Sequence, residues 1–186
     1  ITQNVGVTPN VLLLLDDSGS MSFEDTVEGG GSSRGYNKLF GYDWRCSSYC
    51  NRNGSWKYVF SQYEVDNRFF CSSYNSQAYN PNLDYLPWKL KGDGARADDS
   101  DPEKALIDYS RGDIPENRVD LTDRKRGFSY YVDSGNASGS CSVKHKVSDL
   151  SPAQKQNYAN WFTYYRDRLS VGKAASLELL TGTQYR

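Results

Sequence analysis

Asp16, Ser18 and Ser20 stand at alternate positions directly after the apolar run Val11-Leu12-Leu13-Leu14-Leu15. One carboxylate and two hydroxyls on a turn make a hard-oxygen donor set. Such a set suits Mg²⁺ above all, with Ca²⁺ or Mn²⁺ as alternatives, whereas zinc or copper would call for imidazole or thiolate, and neither is nearby. Gly19 lets the backbone turn tightly between the two serines. The plainer alternative is an ordinary Asx/Ser turn, because Asp, Ser and Gly favour turns without any ion.

Two elements must position these residues. The run from Val11 to Leu15, flanked by Pro9 and by turn chemistry, predicts a strand buried on both faces, of the kind found inside a parallel sheet. Ligands of such sheets bind at the strands' carboxyl ends, where Asp16, Ser18 and Ser20 stand. Near the other end of the chain, Ser151-Pro152-Ala153-Gln154 reads as an N-cap, a first-turn proline and a capping-box partner. Apolar residues then recur at Tyr158, Trp161, Phe162, Tyr165, Leu169, Ala174, Leu177 and Leu180 until Gly182 offers a stop. This pattern predicts one amphipathic helix of about eight turns, its aromatic stripe packed against other elements rather than holding a ligand.

The intervening chain is polar, Gly-rich and aromatic. Asp101-Pro102-Glu103 predicts a second, shorter helix with Asp101 as cap, and the Asp98-Asp99-Ser100-Asp101 cluster reads as its solvated acidic entrance rather than a calcium loop. Cys46, Cys50, Cys71 and Cys141 all fall in this middle region. An even count there predicts disulfides and an oxidising compartment; a zinc site is weaker, because Cys46 and Cys50 have no matching second pair and His145 is the sole histidine. Three pairings are open, with Cys46–Cys50 and Cys71–Cys141 preferred. His145, between Lys144 and Lys146, reads as a solvated loop residue. Aromatic residues between Tyr36 and Trp88, interleaved with Ser, Asn, Arg and Asp, form either an adaptable contact surface or a small satellite core.

Composition narrows the function. The 186 residues carry a formal net charge of −1, so no general electrostatic attraction to nucleic acid or to an anionic membrane is expected. No apolar run approaches the span of a bilayer, and the N-terminus has no basic-then-apolar export signal. No nucleophile–base pair is visible, so an enzyme is not expected.

The string Asp16-Asp17-Ser18-Gly19-Ser20-Met21 after its apolar strand resembles the first strand and metal-ion-dependent adhesion site (MIDAS) of a von Willebrand factor A-type domain. That resemblance implies an α/β, Rossmann-like fold in which Asp16, Ser18 and Ser20 hold a divalent cation. Three separated segments narrow it further: Thr8 to Met21, Tyr79-Asn80-Pro81-Asn82-Leu83-Asp84-Tyr85-Leu86-Pro87-Trp88, and Asn157 to Leu169. Together they are similar to the PilC/PilY family of bacterial type IV pilus tip adhesins and assembly factors. The implied organisation is residues 1–22 as first strand and metal loop, 23–149 as a disulfide-containing insertion, and 150–186 as the first long helix.

The family's remaining ligands, a Thr and an Asp from later loops, have no counterpart here, since Thr181 and Thr183 stand in the wrong place in the fold order. The chain thus reads as an N-terminal piece of a partial A-type domain, with the rest of that domain and a propeller-like domain elsewhere. The implied function is a secreted pilus-tip adhesin, its partners being minor pilins, a host or surface receptor, and the remainder of the same domain. The alternative is a non-adhesive cap that docks on minor pilins and primes assembly.

Overall fold

A computed structural model of the chain describes Leu14, Met21 and residues 70–90, 95–125, 127–133, 141 and 143–182. They are mixed helix and strand. In chain order the regular elements are β1 (Ala105–Leu106), β2 (Arg118–Val119), β3 (Ser129–Val132), β4 (Val143–Lys146), α1 (Pro152–Tyr164) and α2 (Arg168–Gly182). Short 3₁₀ turns precede β2 and α1.

The sheets are small. Ala105 lies opposite Val119 in one antiparallel pair, and β3 pairs with β4 from Ser129 opposite Lys146 to Val132 opposite Val143. Among the described residues there is no parallel sheet of the kind expected to enclose the run from Val11 to Leu15. Leu14, the described residue of that run, lies outside regular structure and is 83% exposed rather than buried. Ala105, Val119 and Tyr130 of these antiparallel pairs pack into one core with α1.

α1 begins as its sequence dictates. The Ser151 hydroxyl accepts the Gln154 N–H at 3.4 Å, and the Gln154 side chain returns to accept the Ser151 N–H at 3.1 Å. Every residue from Tyr158 to Thr163 is buried, as is Tyr164, so the second half of α1 is enclosed all round instead of presenting one stripe. Tyr158, Trp161 and Phe162 share a core with Tyr79, Leu121, Phe128, Tyr130 and Val147, so residues on either side of position 150 build one hydrophobic centre.

The single eight-turn helix expected from the spacing is two helices. α1 ends at Tyr165, whose φ of −138° and ψ of 0° leave the helical region. Asp167 then starts α2: its carboxylate accepts the Ser170 N–H at 2.7 Å and its carbonyl the Val171 N–H at 3.0 Å. Between them Arg166 is buried, stacked 4.2 Å over the Phe162 ring and donating to the Ile107 carbonyl at 2.6 Å. Turning this side chain inward and capping a new helix one residue later is what breaks the rod. Apolar periodicity carries no signal of either event.

The helix expected after Asp101 is also absent. Asp101 accepts the Glu103 N–H at 2.9 Å in an Asx turn, and the chain passes straight into β1. Local capping chemistry is satisfied by a turn, and the buried Ala105 and Ile107 are spaced two apart, as a strand requires. His145 likewise is not a loop residue. It sits in β4 and stacks on Tyr130 at 5.1 Å with 17° between the rings.

Cys71 and Cys141 form a disulfide across 70 positions, the pairing preferred from sequence, with Phe70 and Tyr131 packed over it. Cys46 and Cys50 lie outside the described residues.

Candidate functional site

Asp16, Ser18 and Ser20 lie outside the described residues, so no geometry attaches to the donor set. Its chemistry, one carboxylate with two neutral hydroxyls, fits a hard divalent cation. Among the described residues no cluster of three or more His, Cys, Asp or Glu side chains is arranged to hold a metal.

The structure does bring together two of the three segments singled out in the sequence. Tyr79 stands 4.9 Å from Tyr158 and 5.6 Å from Trp161, edge to face. Three aromatics of the helix segment spend their polar group on a carbonyl of the facing loops. The Trp161 indole donates to Gln77 at 2.9 Å, the Tyr165 hydroxyl to Leu86 at 2.6 Å, and the Tyr164 hydroxyl to Asp98 at 2.7 Å. In return the Trp88 indole donates to the Tyr164 carbonyl at 2.8 Å. Burying these rings without such bonds would leave polar atoms dry, at a cost of about 1–3 kcal/mol each.

Two asparagines on α1 complete the lock. Asn157 accepts the Tyr85 N–H at 2.7 Å and donates to the Leu83 carbonyl at 2.8 Å and the Tyr79 hydroxyl at 3.1 Å. Asn160 accepts the Ser100 N–H at 2.8 Å and donates to Asp99 at 2.8 Å. Burial pushes the Tyr79 hydroxyl up to about 12, against the smaller opposing effect of its bond from Asn157. Tyr85 is raised for the same first reason. The aromatic residues between Tyr79 and Trp88 are thus core, and this choice between core and contact surface was open from composition alone.

On the far side of α1 the acidic run at 98–101 borders an open cavity of about 420 Å³, together with Lys104, Tyr109, Asp113 and Arg118. Arg118 pairs with Asp113 at its rim; that hydrogen bond holds the Asp113 carboxyl below its usual range and raises the guanidinium. Asn117 shapes the loop behind it, its side chain bonding Asp108 and Gly112 carbonyls at 2.6 and 2.8 Å and accepting the Asp108 N–H at 3.0 Å. Sequence reading named the acidic run but missed the cavity, because Tyr109, Asp113 and Arg118 reach it only through the fold of this loop.

Known proteins bear on the segments that lock together. The chain is 29% identical over 205 aligned residues to the type IV pilus biogenesis factor PilY1 of Pseudomonas aeruginosa strain PAO1, covering 92% of the chain. The chain is similar to a pilus biogenesis factor. The PilY1 of strain PAK is 28% identical over the same share of the chain. The match spans only 14% and 15% of these relatives' own lengths. No protein-family model matches the chain, and no solved structure does. Similarity to PilY1 supports the PilC/PilY resemblance read from the sequence.

Proposed function

We propose that this chain is part of a type IV pilus tip-associated adhesin of the PilC/PilY kind, which supports pilus biogenesis and engages a surface or host partner through a divalent cation. The observation that carries this reading is the similarity to PilY1 across 92% of the chain. Asp16, Ser18 and Ser20 would hold the cation, Mg²⁺ first among the candidates, within an A-type domain whose remaining ligands come from outside this chain. A cation held there would supply positive charge able to attract a partner's carboxylate. The chain's own contribution is the carboxylate of Asp16, which supplies the negative charge of the set, and the two hydroxyls, which leave the cation undersaturated in charge.

On this reading the protein acts outside the cell at the pilus tip, with minor pilins and a surface receptor as partners. Among the described residues no helix is long and apolar enough to cross a membrane. The disulfide suits an oxidising compartment. A second reading is favoured by the relatives being pilus biogenesis factors: a cap that docks on minor pilins and primes assembly without adhesive function. Deleting the gene and counting surface pili tests what both share. Piliation should fall sharply and return on complementation; full piliation in the deletion strain would contradict both.

A further inference from the structure

The cavity bordered by the acidic run has a lining that neither charge sign explains. Asp98, Asp99 and Asp101 face it alongside Lys104 and Arg118, with Tyr109 and Tyr164 as an aromatic wall. Its volume of about 420 Å³ falls in the range of small-ligand sites. One oxygen of Asp99 is held by Asn160 at 2.8 Å, and one of Asp101 by the Glu103 N–H at 2.9 Å. Each carboxylate is fixed by one oxygen and retains acceptor capacity on the other. No hydrogen bond or ion pair engages the Asp98 carboxylate or the Lys104 ammonium among the described residues.

We propose that this cavity is a subsite for a neutral carbohydrate. A metal ion is disfavoured, since among the described residues no three acidic side chains are arranged to hold one, and Lys104 and Arg118 stand beside the aspartates. A free anion would be repelled by the four aspartates of the lining, whereas an organic cation would be drawn by them and opposed by Lys104, so it is the competing ligand in the test below. A neutral polyhydroxyl ligand is repelled by neither. Each of its hydroxyls donates and accepts, so carboxylates and an ammonium both find complementary groups on one ring. Charge-assisted bonds of this kind are the stronger sort. Tyr109, half-buried and packed against Trp88 and Tyr164, adds an aromatic contact held rigid by its neighbours. The proposal does not depend on the cation reading given above.

Saturation-transfer NMR on the full chain, with glucose, galactose, mannose and N-acetylglucosamine offered separately in the presence of EDTA, tests the proposal. The chelator removes any contribution of the Asp16 set, so failure of the cation reading leaves this result untouched. At least one sugar should receive transfer, and Asp98→Ala should weaken its binding about tenfold, equivalent to about 1.4 kcal/mol, with an unchanged circular dichroism spectrum. Lys125→Ala, at a position outside the cavity lining, should bind as the parent does. No transfer to any of the four sugars would overturn the proposal. So would transfer that Asp98→Ala leaves unchanged, or binding of arginine methyl ester at the cavity in place of every sugar.

Discussion

The side-chain oxygen of Asn157 accepts the backbone N–H of Tyr85 at 2.7 Å, tying α1 to a loop 72 positions earlier in the chain. The same amide donates to Leu83 and to Tyr79, so one side chain fixes three points of that loop. No apolar residue could do this, because the loop offers backbone groups that must be paired once water is excluded.

Asn157→Ala removes all three bonds and should destabilise the fold by about 2–3 kcal/mol, the sum expected for partly buried bonds whose partners lose their mates. Asn157→Asp keeps the acceptor for Tyr85 but loses both donors and should fall between the two. Urea midpoints with unchanged slopes would show this order.

Trp161 is 1% exposed and combines ring packing with its bond to the Gln77 carbonyl. Trp161→Phe should cost less than Trp161→Ala, for which about 3–5 kcal/mol is expected from the cavity left behind. Equal losses for the two would place the whole effect on the indole N–H instead of on volume. Thermal unfolding of both variants separates these contributions.

The Cys71–Cys141 bridge closes a loop spanning 70 positions. Chain entropy assigns such a crosslink about 4 kcal/mol of stabilisation, through the unfolded state. Reduction by dithiothreitol should therefore lower the denaturation midpoint strongly, while Cys71→Ser/Cys141→Ser, already lacking the bridge, should not respond to reductant at this site.

Alkaline pH should weaken the fold through Tyr79. Its hydroxyl ionises near 10.0 when unfolded and at about 12 when folded. Between those values the unfolded chain has released a proton that the folded chain retains, so stability present below pH 10.0 is lost as pH rises. Tyr79→Phe should flatten that loss, measured as denaturant midpoints across alkaline pH. At the acid end Glu178 acts in the opposite sense. Its bonds from Lys89 and then Arg96 hold the carboxyl below 4.5, so their contribution is present above that value and fades as pH falls through the folded one. The group is solvent-exposed, so Glu178→Gln should alter acid stability only slightly.

What the sequence disclosed and what it concealed divide by the range of the interactions. The capping box of Ser151 and Gln154 was legible because its atoms lie three residues apart. The Cys71–Cys141 pair was legible only as a preference among three, since spacing alone cannot bring distant thiols together. The break at Tyr165 to Asp167 was hidden, because it depends on Arg166 reaching the carbonyl of Ile107, 59 positions away. The turn at Asp101 was misread as a helix start for a related reason: an aspartate caps a turn and a helix by the same bond, and only the β1–β2 pairing decides between them. The cavity at Asp98 was invisible as a cavity, though its acidic residues were plain.

The central claim, that a cation held by Asp16 mediates adhesion at the pilus tip, is tested most directly by Asp16→Ala in the complete protein, with surface attachment measured at matched piliation. The substitution removes the one carboxylate of the Asp16, Ser18 and Ser20 set and should spare folding and export. The account predicts normal pilus numbers with attachment reduced to the level of chelator-treated wild-type cells. Loss of pili themselves would favour the assembly-cap reading. Normal attachment together with normal piliation would contradict the account.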